Sequence, residues 1–445
     1  MEKIVIKGGK KLTGSIFVSG AKNVALKAVV AACLTDEAVV IKNIPLISDF
    51  KVMVEIIHEL GGEAKIIDHA VHVRMKKFKK EKISLDEAAK IRASAMFLSP
   101  LLIRMGKAII PNPGGCRIGA RPIDRTIKGV ERMGFSVSYK SNDGYFYFKK
   151  NSDFKNKEIN YKFDKSTHTG TETLIMIAAL LKNTKTTLEN AAAEPEIDEL
   201  INFLNQMGAK ILRTSERTII IEGVEKLSGT EFTIGPDRNE IVTLAISAII
   251  TKGDLLVKGA QSVDLSPFIQ RLELAGAGVE QQKEGVRFFY KGPLVSVDVE
   301  TSSYPGFMTD WQGPWAILMT QARGEAIIHE TVYESRFGYV QELKKMGADI
   351  TLFNPVVKNP ETVYNFNLAD NNPSFFHAIR IKGPTPLHNA IVKISDLRAG
   401  ATLVLAALAA VGESVIFGVE HVDRGYEKLE EGLSSLGANI KRIKE

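Results

Sequence analysis

Apolar and polar positions along this 445-residue chain recur in blocks. Six times, a stripe of apolar residues at helical spacing runs into a glycine and then into a short alternating strand. The endings are Leu60-Gly-Gly, Met133-Gly-Phe, Met207-Gly-Ala, Ala275-Gly-Ala, Met346-Gly-Ala and Leu436-Gly-Ala. A glycine just past a helix takes the left-handed conformation that closes it. These glycines stand at 61, 134, 208, 276, 347 and 437, with separations of 73, 74, 68, 71 and 90. Such a fixed period is a repeat signature.

A second helix recurs with the same period and is apolar nearly all round, which predicts burial. Its copies are 22–34, 92–105, 171–182, 239–251, 310–322 and 398–411. Each feeds a short strand, at Ala38, Ala108, Thr186, Leu255, Ala326 and Ser414. The strands after the glycine caps pair as hairpins. Asp143-Gly144 and Glu284-Gly285 read as their turns. The sixth hairpin lacks a second strand, because the chain stops at Ile440-Lys-Arg-Ile-Lys-Glu445. Ile4-Val-Ile-Lys-Gly8 resembles the missing partner, so the N-terminal strand is expected in the last repeat. That makes one domain discontinuous: 22–235 forms one, and 1–21 with 236–445 the other. The long interval of 90 places an insertion near 354–376, a polar surface excursion.

Composition narrows the class. Apolar content of 44% and charged content of 25% fit a globular protein. Two cysteines exclude a disulfide framework and suit a reducing compartment. No apolar run reaches membrane-spanning length. Met1-Glu-Lys-Ile-Val-Ile-Lys-Gly8 reads as a strand, not a signal peptide. A cytoplasmic monomer with no membrane partner is expected. The net charge of +6 is mild. No aromatic-interleaved basic stripe points to nucleic acid. The eight histidines are dispersed, so no metal is expected, and no cofactor either, for want of a dinucleotide fingerprint.

The candidate chemistry centres on Asn112-Pro-Gly-Gly-Cys-Arg-Ile-Gly-Ala-Arg121. Its glycines and proline make a loop. By residue type the loop is either a turn with an incidental cysteine or a displayed thiol. Arg117 and Arg121 would lower the pKa of Cys116. Cys33, in Val29-Val-Ala-Ala-Cys33, reads as core. Several buried helices begin with long charged groups rather than a simple cap: Lys22-Asn23, Arg92, Asp237-Arg238, Asp310 and Arg398. A helix N-terminus favours an anion, and added cations there suit a polyanion. Arg121 and Arg424 would add to such a site. Asp310, Asp396 and Asp423 are candidate general bases that cationic neighbours should keep ionised. His168 is either a ligand group or a polar surface residue.

These motifs resemble the enolpyruvyl transferases, and among them those acting on UDP-N-acetylglucosamine. The resemblance rests on Ser19-Gly-Ala-Lys-Asn23, Pro113 to Pro122, Asn190-Ala-Ala-Ala-Glu-Pro-Glu196 and Pro236-Asp-Arg238. It continues through Thr309-Asp310, Glu334-Ser-Arg-Phe337, Asp396-Leu-Arg-Ala399 and Asp423-Arg424. The cysteine loop separates this group from the shikimate-pathway transferases. The implied fold is α/β (α+β): a two-domain inside-out α/β barrel of six βαβαββ-type repeats, three per domain around buried helices. The implied reaction moves the enolpyruvyl group of phosphoenolpyruvate to the 3′-hydroxyl of UDP-N-acetylglucosamine, releasing phosphate, as the first committed step of peptidoglycan synthesis. Cys116 would be the proton donor and the residue that fosfomycin alkylates, and Asp310 the base. Lys22, Arg121 and Arg424 would hold phosphate. Arg398, with Arg336, would hold the donor carboxylate, and Lys22 and Arg398 count among the catalytic set. Asn23, Arg92, Arg121, Pro122, Ile123, Asp124, Arg125, Lys165, Ser166, Thr167, His168, Val332 and Asp396 would complete the substrate pocket.

Three positions depart from the family pattern. Thr126 replaces a histidine, Met96 an aromatic residue, and Lys165-Ser-Thr-His-Thr169 a Lys-Val-Ser-Val-Gly stretch. All lie where the nucleotide is expected. The alternatives are therefore a transferase using another UDP-sugar or nucleoside, one using shikimate 3-phosphate, and a non-catalytic nucleotide-sugar sensor.

Overall fold

The computed structural model describes residues 2–114, 118–120, 122–154, 156–261 and 263–444. Among the expected site residues, Cys116 and Arg121 lie outside them, as does Arg117. The chain forms two compact units. One holds residues 20–115 and 122–235; the other holds 1–19, 116–121 and 236–445.

Each unit has three buried helices at its centre and sheets around them. In the first unit the central helices are Lys22–Ala31, Leu98–Met105 and His168–Ala178. In the second they are Arg238–Ile250, Gln312–Thr320 and Leu397–Ala409, each packed on the other two. Their apolar circumference explains the placement: a helix hydrophobic all round must be covered on every side. Side chains such as Val242, Ala245, Ile317, Leu403 and Ala406 are fully buried. Short 3₁₀ turns extend three of these helices, at Ala32–Leu34, Arg92–Phe97 and Thr309–Trp311.

The hairpins expected after each glycine are present, at Glu63–Ile67 with Ala70–Arg74, Phe135–Lys140 with Tyr145–Lys150, and Lys210–Ser215 with Thr218–Glu222. The other unit carries Gly278–Gln282 with Gly285–Phe289, and Asp349–Phe353 with Ala378–Gly383. All six capping glycines have positive φ, from 89° to 100°. In the sixth repeat the second strand is the N-terminal one. Glu2–Lys7 runs antiparallel to Asn439–Lys444, with Ile4 opposite Arg442. One turn differs from expectation. The residues between Gln282 and Gly285 form it, and Gly285 itself pairs with Gln282 and Lys258. A Cβ there would lie 2.0 Å from the Val257 carbonyl oxygen, so Gly285 permits a close strand approach.

Five of the six repeats show a strand that the hydrophobic pattern did not separate; beside Lys107–Pro111 the described residues show only a single parallel bridge, Lys82 to Ile109. Each such strand lies parallel to the strand after the buried helix, as a βαβ crossover requires. Two of these strands are exchanged. Thr13–Phe17 precedes the Lys22–Ala31 helix yet pairs with Asp254–Lys258. Glu231–Thr233 precedes the Arg238–Ile250 helix yet pairs with Ala38–Lys42. These two exchanges coincide with passages of the chain from one unit to the other near residues 19–20 and 235–236. Gly20 is confined there, since a Cβ would sit 1.7 Å from the Asn43 carbonyl oxygen.

The insertion is more than a surface excursion. Most of 354–376 is exposed, but Tyr364 and Phe366 are 6% and 5% exposed. Their rings pack on each other and on His377. The Asn365 N–H donates to the Thr331 carbonyl at 2.7 Å. The alternating Tyr364-Asn-Phe366 pattern was the available signal.

Candidate active site

In the second unit the 3₁₀ turn Thr309–Trp311 fixes Asp310. Trp311 is fully buried and meets Phe268 and Phe307 edge-on. Trp315, one helical turn on, packs on the same two rings. Truncating one such buried aromatic typically costs about 3–5 kcal/mol, so the turn has a firm base.

Two arginines converge on the Asp310 carboxylate. Arg336 donates to Oδ1 at 2.5 Å and Arg398 to Oδ2 at 3.0 Å. Their side chains are 6% and 11% exposed, against 22% for Asp310. Burial, the largest single influence, opposes the charge on Arg398, but Asp310, Tyr426 and Asp237 together outweigh it, and the guanidinium is held well above its ordinary range. Arg336 is raised likewise, with burial opposed by Asp310, Asp396 and Glu330. Arg398 Nη1 also donates to the Tyr426 hydroxyl at 3.2 Å, which lies 2.9 Å from Thr243 Oγ1. Tyr426 is buried, and its phenol is pushed up by burial against the charge of Arg398.

The other two candidate bases have different work. Asp396 caps the Leu397–Ala409 helix, accepting from the N–H groups of Arg398 at 3.0 Å and Ala399 at 3.1 Å. Asp423 is bound through both oxygens by Arg442, which also reaches Glu430 and Glu2. The expectation that buried helices lack simple caps holds for those beginning at Lys22, Arg92 and Asp310 and fails for three others. Asp237 and Asp396 cap two of them, and Thr167 a third, one or two residues before the charged or polar group. Arg424 stands between Asp423 and Gly425 in a half-buried turn that leads to Tyr426. Val332 is held by Glu330, whose Oε1 accepts its N–H at 2.8 Å.

The segment after the cysteine also belongs to this unit. The Ser335 N–H donates to the Ile118 carbonyl at 3.2 Å. Gly119 has φ of 141°, and a Cβ there would lie 1.7 Å from Glu334 Oε2. Only glycine suits that position.

In the first unit Lys22 begins its helix and is buried, with Nζ 2.8 Å from Asp49 Oδ2. Asn23, the next residue, is half-buried. Arg92 begins the 3₁₀ turn Arg92–Phe97 and is half-buried. Pro122 and Ile123 lead into the Asp124–Arg132 helix. Arg125 Nε donates to Asp164 Oδ1 at 3.0 Å, and its carbonyl accepts from the Tyr161 hydroxyl at 2.6 Å. Burial opposes ionisation of Asp164, but the Lys165 N–H and Arg125 prevail and lower its pKa. Lys165 to His168 follow directly. Ser166 Oγ accepts from Arg217 at 3.3 Å, and Thr167 caps the His168–Ala178 helix.

His168 Nε2 lies 3.4 Å from Lys27 Nζ and 3.5 Å from Glu172 Oε1. Lys27 and Glu172 form a buried ion pair absent from the sequence-level reading. Burial pushes Glu172 up to about 8; Lys27 opposes this, and Glu194 and Glu196 add to it. Met96 and Thr126 are both buried, so these departures lie beneath the surface. Cys33 is fully buried, and burial raises its thiol to about 12 against the pull of Arg104. It is core, as its helix context implied.

Residues 6–433 match the family model described as EPSP synthase (3-phosphoshikimate 1-carboxyvinyltransferase). The chain belongs to this enolpyruvyl transferase family. A relative from Acidobacterium capsulatum named UDP-N-acetylglucosamine 1-carboxyvinyltransferase is 41% identical over 448 residues, spanning 100% of this chain and 96% of that one. UDP-N-acetylglucosamine 1-carboxyvinyltransferase 1 of Staphylococcus aureus is 38% identical over 446 residues, covering 100% of both. Among solved structures, the enolpyruvyl transferase NikO from Streptomyces tendae aligns with a TM-score of 0.84 at 24% identity over 99% of each chain. EPSP synthase from Acinetobacter baumannii aligns at 0.71 and 17% identity over 100% of each. These two give the fold, a mixed α/β architecture that agrees with the repeats described above. No helix among the described residues is long and apolar enough to cross a membrane.

Proposed function

We propose that this enolpyruvyl transferase moves the enolpyruvyl group of phosphoenolpyruvate to the 3′-hydroxyl of UDP-N-acetylglucosamine and releases phosphate. The reaction is the first committed step of peptidoglycan precursor synthesis, carried out by a cytoplasmic monomer. Full-length relatives carrying that activity's name support the reading. The observation that carries the mechanism is the Asp310 carboxylate between Arg336 and Arg398.

The chemistry uses that arrangement directly. A guanidinium has five N–H donors, and Asp310 takes one from each arginine. The remaining donors suit the donor's carboxylate. As that anion engages Arg398 and Arg336, the grip on Asp310 weakens and Asp310 can accept the sugar hydroxyl's proton. The oxygen then bonds to the central carbon of the enol phosphate while Cys116 protonates the methylene carbon. The product still carries a methylene double bond. Atom balance therefore requires loss of a proton from the new methyl group as the carbon–oxygen bond to phosphate breaks. Lys22, Arg121 and Arg424 hold the departing phosphate. Arg92, Pro122 to Arg125, Lys165 to His168 and Val332 receive the nucleotide sugar, with Asn23 and Asp396 shaping the pocket. Fixing both anionic ends of the donor turns a bimolecular encounter into a positioned step. We propose domain boundaries of 22–235 for one half and 1–21 plus 236–445 for the other.

The test is phosphate release from phosphoenolpyruvate with UDP-N-acetylglucosamine, with shikimate 3-phosphate, or with no acceptor. Release with the first alone is expected. Release with shikimate 3-phosphate alone assigns the chain to the other branch of the family. No release with any acceptor leaves a binding protein.

A further inference from the structure

Glu330 is fully buried and no sequence motif marks it. Its Oε1 accepts the backbone N–H groups of Val332 at 2.8 Å and Tyr333 at 3.0 Å. Its Oε2 accepts from the Thr309 hydroxyl at 2.8 Å and from Gln312 Nε2 at 3.4 Å. Four donors on one carboxylate is the pattern an ionised, acceptor-only group satisfies. The Gln312 amide cannot turn round freely, because its oxygen accepts from the Tyr339 hydroxyl at 2.7 Å. One buried side chain thus ties the Val332 backbone to the turn that carries Asp310.

Glu330 is also electrostatically coupled to Arg336, the closer of the two arginines on Asp310. Arg336 divides its charge among Asp310, Asp396 and Glu330. Burial raises the Glu330 carboxyl, and Arg336 with the Thr309, Val332 and Tyr333 bonds opposes that rise. The groups coupled to the Glu330–Asp310 pair are Arg336, Arg398, Asp396, Tyr333 and Tyr339, with Tyr426 behind Arg398.

We infer that Glu330 is a positioning residue for the transfer: it locks the Val332–Tyr333 backbone to the Asp310 turn and limits how strongly Arg336 grips Asp310. This rests on the proposed reaction, in which Asp310 is the base. The two parts separate by substitution. Glu330→Gln keeps the reach and removes the charge; its amide nitrogen also faces the Gln312 donor. Glu330→Asp keeps the charge and retracts the carboxylate by one methylene.

The experiment compares the native chain with both variants. It measures kcat and KM for each substrate by phosphate release, the pH dependence of kcat, and thermal unfolding. Both variants should lose kcat by about 10- to 100-fold, the scale of a small misplacement of a reacting group, with smaller changes in KM. In Glu330→Gln the acid limb of kcat should move to lower pH by about half a unit, since removing a like charge favours ionised Asp310. In Glu330→Asp that limb should stay. A Glu330→Gln variant with native kcat overturns the inference, and so does an unmoved acid limb. If neither variant folds, Thr309→Val removes one partner and spares the charge. It should lower kcat without moving the limb, and native kcat there also overturns the inference. A native chain that releases no phosphate is recognised before any substitution and refutes the functional reading instead.

Discussion

Asp310→Asn keeps the side chain's size and one acceptor oxygen but removes its charge. The native carboxylate takes Arg336 at 2.5 Å and Arg398 at 3.0 Å through separate oxygens. In the variant one arginine meets the amide oxygen and the other meets an N–H₂ group. One charge-assisted bond is lost, worth about 1.5–3 kcal/mol, and the other weakens to about 1 kcal/mol. Neither arginine is stranded, because Arg336 retains Asp396 and Glu330, and Arg398 retains Tyr426. The cost should therefore stay under the roughly 3–5 kcal/mol of an orphaned buried charge. About 2–3 kcal/mol lowers the Tm of a unit this size by roughly 5–10 °C. Turnover should fall by about 10²–10⁴, the usual loss when a general base is removed. The KM for phosphoenolpyruvate should hold or fall, since the guanidinium groups lose a competing anion. Chemistry this slow makes KM a fair measure of affinity. Steady-state phosphate release at varied donor, with a thermal melt alongside, gives every quantity. A kcat within threefold of native and a tenfold higher KM would make Asp310 a binding residue and refute the reasoning.

Glu172 gives a pH prediction. Its folded-state pKa, pushed up to about 8, lies above the unfolded value, so its stabilising contribution is complete at acid pH and is lost as pH rises through about 8. The Lys27→Met/Glu172→Met double variant should show a smaller fall in Tm between pH 5 and 8 and be no less stable at neutral pH, as buried ion pairs replaced by apolar groups often are; an unchanged slope contradicts the assignment. Fosfomycin should inactivate the chain with time and add one inhibitor mass to the peptide carrying Cys116, while Cys116→Asp stays active and resists. A normally active chain whose peptide gains no mass would show that Cys116 does not face the donor.

The repeats were legible because helix caps and buried helices leave periodic signals. Six glycines at positive φ mark six helix ends, and a helix apolar all round has nowhere to go but the interior. The short parallel strands were not legible. Val299–Glu300 and Ile391–Lys393 are too brief for alternation to show. The exchange of Thr13–Phe17 and Glu231–Thr233 depends on pairing partners more than 190 residues away, which no local pattern encodes. At the site, Asp310, Arg336 and Arg398 could be named from their motifs, but the residues that hold them could not. Tyr426, Thr243 and Glu330 look like ordinary core-edge residues until the fold brings them together. The same ambiguity hid the helix cap of Asp396 and the Arg442 pair of Asp423. A carboxylate beside arginine in sequence reads alike whether it caps a helix or ties down a strand.

The most direct test of the central claim is to run the reaction in deuterated water and examine the product. The account requires solvent-derived hydrogen to be added to the methylene carbon of phosphoenolpyruvate and one hydrogen of the resulting methyl group to be lost with phosphate. It predicts a product heavier than UDP-N-acetylglucosamine by one enolpyruvyl group, formed in step with phosphate, and deuterium in its vinyl methylene. Phosphate without that product, or a product whose vinyl positions carry no deuterium, would contradict it.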